Sequence, residues 1–267
     1  MATDSPRMIA GVRIPVRNAE PVETWFSRLW LAMPEWWGQA AGALAMSAWL
    51  ATEIPAWFGN FWTMGAWYEF ADGARINLPW TQVLVDLNIL LVGLAFVFRR
   101  PARIRSCQAG EVLLSLLAGW WPLLPFLLVT VVAWIDPFAA AEWKVFIQRP
   151  QMNFTQVFSG ASLIILGNAL DLSGYATLFR SFSVLPEARE LKTTGLYRFV
   201  RHPVYLGQFI SQAGVWLIFA PAHWVWWSFY VTFIVLQLWR TKREDAVLER
   251  AFGNDFREWK ERTFWFV

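Results

Sequence analysis

"PVYLGQFISQAGVWLIFAPAHWVWWSFYVTFIVLQLW", residues 203–239, is the stretch that decides the predicted fold. It contains two apolar runs, 203–220 and 224–239, which are joined only by Pro221, Ala222 and His223. A transmembrane helix needs about 20 predominantly apolar residues, and both runs approach that length. The short connection therefore predicts a tight helical hairpin, and the segments that flank it should emerge on the same face of the membrane.

The composition of the whole chain also indicates an integral membrane protein. Of the 267 residues, 57% are hydrophobic and only 16% are charged, whereas soluble domains contain about 25% charged residues. The single cysteine, Cys107, excludes an intramolecular disulfide. The net charge of +3 is modest, and no nucleic-acid partner is expected.

Four further apolar stretches precede the hairpin, at 36–58, 80–98, 112–134 and 155–172. With six crossings, 20 of the 23 lysines and arginines fall on alternate connections, namely the N-terminal segment, 99–111, 173–202 and the tail from Arg240. By the positive-inside rule, both termini are then cytoplasmic. The predicted fold class is an all-α integral membrane protein with about six transmembrane helices, of which the last two form the hairpin.

Three acidic residues lie inside the predicted spans: Glu53, Asp86 and Asp171. Each is within about two turns of a predicted span end, where the cost of placing a charge in the membrane is reduced. Glu53 and Asp86 either pair with Arg75 or bind a substrate headgroup on the outer side. The sequence does not decide between these two interpretations.

The segment before the hairpin, "TGLYRFVRHPVYLG" (194–207), has the residues of an anion-binding site. Pro203 suits the first position of a helix, which places His202 at or beside the N-cap. The free N–H groups of a helix start attract an anion, and Arg198 and Arg201 add fixed positive charge. The sequence therefore predicts a receptor for a carboxylate or a phosphate.

The segment after the hairpin, "WRTKREDAVLERAFGNDFREW" (239–259), carries two adjacent acids, Glu244 and Asp245. Arg240 and Glu244 are four residues apart and are predicted to pair along a helix. One of the two acids could hold a cationic ammonium group. Apolar residues then recur every three or four positions from 248 to 259, which predicts a cytoplasmic amphipathic helix on the inner membrane surface.

Because the hairpin brings both segments to one membrane face, an anion pocket and a cation pocket are predicted to lie together. A ligand that carries both charges, such as the amino-acid end of S-adenosylmethionine, matches this pair of pockets. The alternative is that the Arg-His pair only anchors the topology and that the Glu-Asp pair only neutralises nearby lysines and arginines.

The string "LKTTGLYRFVRHPVYLG", followed after the hairpin by "EDAVLERAFGNDFREW", resembles the isoprenylcysteine carboxyl methyltransferase family and its phospholipid-methyltransferase relatives. The resemblance covers 178–264 and includes the order of the motifs, their spacing and the intervening hairpin. The upstream "RSFSVLPEARELKTTG" also resembles bacterial members. This sequence departs from the family pattern at Leu196, Asp245, Phe256 and Trp259, where the family usually has a proline, a glutamate and two tyrosines.

The resemblance implies a methyltransferase that uses S-adenosylmethionine, releases S-adenosylhomocysteine and acts on a lipophilic acceptor. The residues that it implies for the cofactor pocket are Leu191, Gly195, Tyr197, His202, Pro203, Tyr205 and Glu244. It assigns the catalytic roles to Glu244 and to Arg201 and Arg240, which would face the methyl acceptor or its carboxylate. No metal site is expected.

These inferences divide the chain into three parts. Residues 1–35 form a predicted cytoplasmic arm, 36–172 hold transmembrane helices 1–4, and 173–267 form the S-adenosylmethionine-binding core with the terminal hairpin and the cytoplasmic tail. The predicted location is the bacterial inner membrane, where membrane lipids surround the helices. No G-x-G-x-x-G turn follows a strand, so a Rossmann-type methyltransferase domain is not supported.

Several functions stay open at this point. The acceptor is a prenylated cysteine carboxylate, a phospholipid amine, a small thiol or another lipophilic acid, so O-, N- and S-methylation are all compatible with the sequence. The alternatives of other classes are a nicotinamide-dependent membrane sterol or enoyl reductase and a non-enzymatic membrane protein. Glu244 and Asp245 argue against the reductase, because acids repel the phosphates of its cofactor.

Overall fold

The structure, a computed structural model, describes residues 7–9, 12–14, 25–59, 67–70, 72–105, 108–124, 131–132, 134–136, 153–219 and 224–264. These residues are mostly helical, which confirms the helical character predicted for the chain. The helices are α1 (Trp25–Ala32), α2 (Glu35–Gly59), α3 (Pro79–Phe98), α4 (Ala109–Trp120), α5 (Phe154–Leu178), α6 (Pro203–Phe219), α7 (Val225–Phe252) and α8 (Asn254–Arg262).

Short antiparallel strand pairs connect segments outside these helices. In the described residues they are β1 (Arg7–Ile9) with β2 (Val12–Ile14), β3 (Trp67–Glu69) with β4 (Arg75–Asn77), and β5 (Ile104–Arg105) with β6 (Glu187–Ala188). The first two pairs join neighbouring parts of the chain. The third pair ties the loop after α3 to the loop before α6, and both loops contribute residues to the cavity described below.

Helices α5 and α6 pack with their backbones in direct contact. Three glycines of α5, Gly160, Gly167 and Gly174, recur every seven residues and therefore lie on one face. A side chain on Gly167 would place its Cβ 2.3 Å from the backbone nitrogen of Ser211 on α6, and one on Gly160 would place it 3.0 Å from the carbonyl oxygen of Gly214. Small residues permit this approach, which holds α6 in a fixed position on α5.

Two of the described helical segments are long and apolar enough to cross a membrane: α3, and α5 together with the turn that follows it, Phe154–Ser181. Both agree with predicted spans. The 17 residues of α6 extend about 26 Å at 1.5 Å per residue, which is less than a hydrocarbon core of about 30 Å. The apolar half of α7 continues into a charged half. The six crossings and the cytoplasmic termini therefore stay predictions.

The predicted span at 112–134 is not one regular helix in its described part. Helix α4 ends at Trp120, and a 3-10 turn follows at Trp121–Leu123. Pro122 explains the change, because it lacks the N–H group that the interior of an α-helix requires.

The predicted amphipathic helix after the hairpin is two helices rather than one. Helix α7 continues to Phe252, and Gly253 then takes a left-handed conformation with a φ of 56° before α8 begins. Phe256 and Trp259 of α8 are buried against Tyr197 instead of facing lipid. The predicted spacing of apolar residues is right, but this apolar face packs on the protein segment that contains Tyr197 rather than on the membrane surface. Trp259 Nε1 donates a hydrogen bond to the Tyr197 carbonyl at 2.9 Å.

Asp86 is buried in α3 and does not pair with Arg75. The indole N–H of Trp57 donates to its carboxylate at 2.8 Å, while Arg75 pairs with Glu69 at 3.0 Å. The interpretation that Asp86 pairs with Arg75 is therefore wrong. The side chain of Glu53 lies outside the described part of the structure.

Candidate active site

The turn and the helix start before the hairpin form one side of the site. Gly195 opens a 3-10 turn that ends at Arg198, and its φ of 58° is a left-handed value that favours glycine. Helix α6 then begins at Pro203. The carbonyl oxygen of His202 accepts the N–H of Leu206 at 3.1 Å. His202 is therefore the N-cap residue of α6, as predicted.

Asp245 on α7 holds the Arg-His pair in place. One carboxylate oxygen accepts a hydrogen bond from Arg201 Nη1 at 2.8 Å, and the other lies 2.8 Å from His202 Nε2. Burial alone would raise the pKa of the Asp245 carboxyl, but the hydrogen bonds and the electrostatic attraction of His202 and Arg201 outweigh it, and the pKa lies below its usual value. Two segments that are distant in sequence therefore meet, as the hairpin predicts.

Glu244 is adjacent to Asp245 in sequence but lies in different surroundings. The Tyr205 hydroxyl donates a hydrogen bond to its carboxylate. Arg240 Nε lies 3.6 Å from one carboxylate oxygen, and His202 Nδ1 lies 3.8 Å from the other. A carboxylate offers about four acceptor positions, so Glu244 keeps capacity for a ligand. The predicted pairing of Arg240 with Glu244 is confirmed.

A cavity of about 670 Å³ joins these residues. Its volume falls within the roughly 300–1,000 Å³ that is typical of small-molecule sites. Of the predicted site residues, those that line it are Leu191, Tyr197, Arg201, His202, Tyr205, Arg240 and Glu244. We call the last six of these the cradle. Gly195 and Pro203 lie outside the cavity wall and instead shape the turn and the helix start that carry the cradle.

The contribution predicted for Arg198 is wrong. Its guanidinium carbon lies 5.8 Å from the ring centre of Phe199, and neither residue lines the cavity. Asp245 is also absent from the cavity wall, because it faces Arg201 and His202. The charge of Arg201 is therefore neutralised within the protein, and the anion receptor is less cationic than the sequence predicts.

Sequence reasoning missed a second group of charged residues on the cavity wall. Arg189 is 4% exposed and pairs with Glu187 at 2.6 Å and with Glu35, the first residue of α2, at 3.3 Å. All three line the cavity. Glu35 and Arg189 are 154 residues apart, and no spacing rule connects such positions, so only the tertiary structure reveals this contact.

Helices α2 and α3 supply an apolar wall of the same cavity. The α2 residues at 38, 41, 42 and 45 are glycine or alanine, line the cavity, and recur every three or four positions on one helix face. Val92 and Phe96 of α3 also line this wall. The cavity therefore combines a charged cradle with an apolar compartment, which is the combination that an amphiphilic ligand requires.

Residues 155–255 match the model of the protein family described as phospholipid methyltransferase. The matched segment runs from α5 through α7 into the start of α8 and contains His202, Tyr205 and Glu244. This match confirms the resemblance noted in the sequence for residues 155–255, while the bacterial type stays a prediction. The family consists of membrane-associated methyltransferases that generally use S-adenosylmethionine. A search of curated proteins gave no match.

Proposed function

We propose that this protein is an integral membrane methyltransferase that uses S-adenosylmethionine to methylate a lipophilic acceptor and is similar in action to isoprenylcysteine carboxyl methyltransferases. The observation that carries the proposal is the meeting of two distant segments at one cavity. Asp245 contacts Arg201 and His202, which precede it by more than 40 residues in the sequence. Glu244 accepts a hydrogen bond from the Tyr205 hydroxyl. An acid, basic groups and aromatic rings are thereby placed beside an apolar compartment.

Glu244 is the proposed partner of the cofactor's ammonium group. Asp245 is unsuited to this role, because Arg201 and His202 already hold both of its oxygens at 2.8 Å. Glu244 lines the cavity, and its longer contacts with Arg240 and His202 leave room for a charge-assisted hydrogen bond. The apolar and aromatic surface for the rest of the cofactor comes from Leu191, Tyr197 and Tyr205.

S-adenosylmethionine held by the cradle would supply an activated methyl group, which would pass to the acceptor's lone pair while the electron pair of the broken C–S bond stays on sulfur. The protein's contribution is to hold the two reactants in line, which can lower the barrier by about 7–11 kcal/mol. A carboxylate acceptor carries no proton to remove. An amine or a thiol must lose one, and His202 and Glu244 are the proposed bases in the cradle.

Arg240 is the proposed residue that orients the acceptor. Its guanidinium lies 5.3 Å from the centre of the Tyr205 ring, and its Nη2 donates to the Val184 carbonyl at 2.5 Å. These contacts fix the guanidinium in the cavity wall. Arg201 is expected to act less directly, because its charge is bound to Asp245.

The domain arrangement and the location belong to the same proposal. Residues 173–267 supply the cradle, the helices within 36–172 supply the apolar compartment, and 1–35 form an arm on the cytoplasmic side. Both termini are placed in the cytoplasm of a bacterial cell. The cofactor then arrives from the cytoplasm and the acceptor from the membrane.

Two acceptor classes would use the same cradle, which makes a phospholipid N-methyltransferase and a thiol S-methyltransferase the related alternatives. A nicotinamide-dependent reductase is disfavoured, because the Glu244 charge in the cavity would repel phosphates. A non-enzymatic role is disfavoured because burying ion pairs such as Arg201–Asp245 is costly and a topology anchor does not need them.

The test is a cofactor comparison with the wild-type protein in nanodiscs. Isothermal titration calorimetry is expected to detect binding of S-adenosylmethionine and S-adenosylhomocysteine and no binding of NADPH. Tritium from the donor methyl group is expected in the organic phase after incubation with a bacterial lipid extract. Binding of NADPH alone would support the reductase, and binding of neither cofactor would support the non-enzymatic alternative.

A further inference from the structure

Three polar side chains from three helices form a hydrogen-bonded chain that ends at the cavity. Gln237 of α7 donates from Nε2 to Gln208 Oε1 on α6 at 2.8 Å. Gln208 in turn donates from Nε2 to the hydroxyl oxygen of Tyr175 on α5 at 3.1 Å. Gln208 and Tyr175 line the cavity, whereas Gln237 is only 1% exposed and does not. We call these three residues the relay.

The direction of the relay follows from its buried end. Gln237 Oε1 is enclosed without a hydrogen-bond partner. If both amide groups were reversed, the Gln237 NH2 group would lack a partner instead, and an NH2 group carries two donors. Buried donors are left unpaired less often than buried carbonyl oxygens. The structure therefore favours donation from Gln237 to Gln208 and from Gln208 to Tyr175.

This direction leaves the proton of the Tyr175 hydroxyl available. The hydroxyl oxygen accepts from Gln208, and no acceptor for its proton occurs in the part of the chain that the structure describes. Tyr230 of α7 differs, because its hydroxyl donates to the Phe209 carbonyl at 3.4 Å. Tyr175 can therefore donate a hydrogen bond to a ligand, whereas Tyr230 already has an acceptor within the protein.

Tyr175 lies where the apolar compartment meets the cradle. Its ring packs edge to face on Phe182 with 5.4 Å between the ring centres, and Phe182 packs in the same way on Phe96 of the apolar wall. On the other side, its partner Gln208 is one turn beyond Tyr205 of the cradle. The polar head of an amphiphilic ligand belongs at this junction, with its chain on the apolar side.

We propose that Tyr175 binds the lipophilic acceptor by donating a hydrogen bond to an oxygen atom of its polar head, and that Gln208 and Gln237 are positioning residues that direct the Tyr175 proton to the ligand. The inference rests on the proposed methyltransferase function, which supplies the acceptor. A phenol is a neutral donor, so a carboxylate and an ester carbonyl are both suitable partners. A quaternary ammonium head has no accepting atom and gains nothing from Tyr175.

The test compares tail-matched ligands on the full chain in nanodiscs of ether-linked phosphatidylcholine without cofactor. Dodecanoate and methyl dodecanoate present an oxygen, dodecyltrimethylammonium does not, and their affinities are measured by thermophoresis. Tyr175→Phe removes only the hydroxyl. It is expected to weaken methyl dodecanoate about three- to tenfold and dodecanoate about tenfold or more, the ranges of a neutral and a charge-assisted hydrogen bond. Dodecyltrimethylammonium is expected to bind as to the wild type.

Gln237→Leu tests the relay, because Gln237 does not line the cavity and reaches the ligand only through Gln208. We expect it to weaken methyl dodecanoate about two- to threefold, part of one hydrogen bond, and to add no loss when it is combined with Tyr175→Phe. A merely structural role of Gln237 would add its own loss in the double variant. The matched control is Tyr230→Phe, which is expected to bind all three ligands like the wild type.

The proposal would be overturned by a wild-type protein that binds neither oxygen ligand or by unchanged affinity for both in Tyr175→Phe. An equal loss for dodecyltrimethylammonium, or an equal loss in Tyr230→Phe, would also overturn it, since it would show a general loss of packing. The affinity for S-adenosylmethionine is expected to be the same in Tyr175→Phe and the wild type. Failure of the methyltransferase proposal is distinguishable, because it would appear as absent cofactor binding by the wild type.

Discussion

Helices pack differently in the N-terminal half of the molecule, which contains α2 and α3, and in the C-terminal half, which contains α5 and α6. In the C-terminal half, glycines bring the backbones of α5 and α6 into contact, and Asp245 pairs with Arg201 and His202. In the N-terminal half, Gly38 and Gly42 of α2 face the side chains of Arg99 and Phe96 rather than a backbone, and α2 and α3 line the apolar part of the cavity. The comparison teaches that backbone contact between α5 and α6, here called the rigid frame, positions the cradle, while side chains of α2 and α3 form the apolar wall beside it.

The largest effect is expected from breaking the rigid frame. Gly167→Ala places a methyl group 2.3 Å from the backbone nitrogen of Ser211, and we expect it to lower the free energy of unfolding by about 3 kcal/mol, the upper end of overpacking costs. In Gly42→Ala the nearest atoms belong to the Phe96 side chain rather than to a backbone, and a side chain can shift at lower cost, so we expect a loss of about 1 kcal/mol. Thermal unfolding in detergent checks both, and an equal loss in the two variants would contradict the comparison.

A smaller effect is expected from breaking the charge pairing within the frame. Asp245→Ala leaves Arg201 buried without its acid, and we expect it to destabilise the protein by about 3 kcal/mol or somewhat less, because Asp245 is partly exposed. Glu249→Ala is the control on the same helix, since the Glu249–Arg257 pair is exposed and should contribute about 1 kcal/mol at most. Unfolding midpoints that fall equally in both variants would contradict this assignment.

The smallest effect is expected from pH. The pKa of Asp245 is lowered in the folded protein, so its stabilising contribution is complete above the ordinary value of 3.8 and is lost as the pH falls through the lower folded value. The difference in unfolding midpoint between the wild type and Asp245→Asn should therefore persist from about pH 7 to about pH 5 and shrink below about pH 4. A difference that disappears between pH 7 and pH 5 would show that another group is responsible.

Local patterns were sufficient to predict several helices and the meeting of the two segments that flank the hairpin. The apolar run at 80–98 differs from α3 by one residue at its start, because uninterrupted hydrophobicity defines such a helix. The hairpin was sufficient to place Arg201 and His202 beside Asp245, since two segments that flank a tight pair of helices must lie near each other. The break at Gly253 also had a signal in the sequence, because a glycine commonly ends a helix.

Long-range contacts were beyond the reach of the same patterns. Nothing in the spacing of Glu35 and Arg189 indicates that they meet, because their contact depends on how α2 packs beside the loop before α6. The assignment of Arg198 to the anion receptor failed for a similar reason. The sequence does not show in which direction a charged side chain points, and the side chain of Arg198 lies against Phe199 rather than in the cavity.

The most direct test of the cradle is the affinity of Glu244→Ala for S-adenosylmethionine, measured by calorimetry beside Glu249→Ala as an exposed control that does not line the cavity. We expect Glu244→Ala to remain folded and to weaken binding by about 10- to 100-fold, the value of one hydrogen bond to a charged group, while Glu249→Ala binds like the wild type. An unchanged dissociation constant in folded Glu244→Ala would contradict the account.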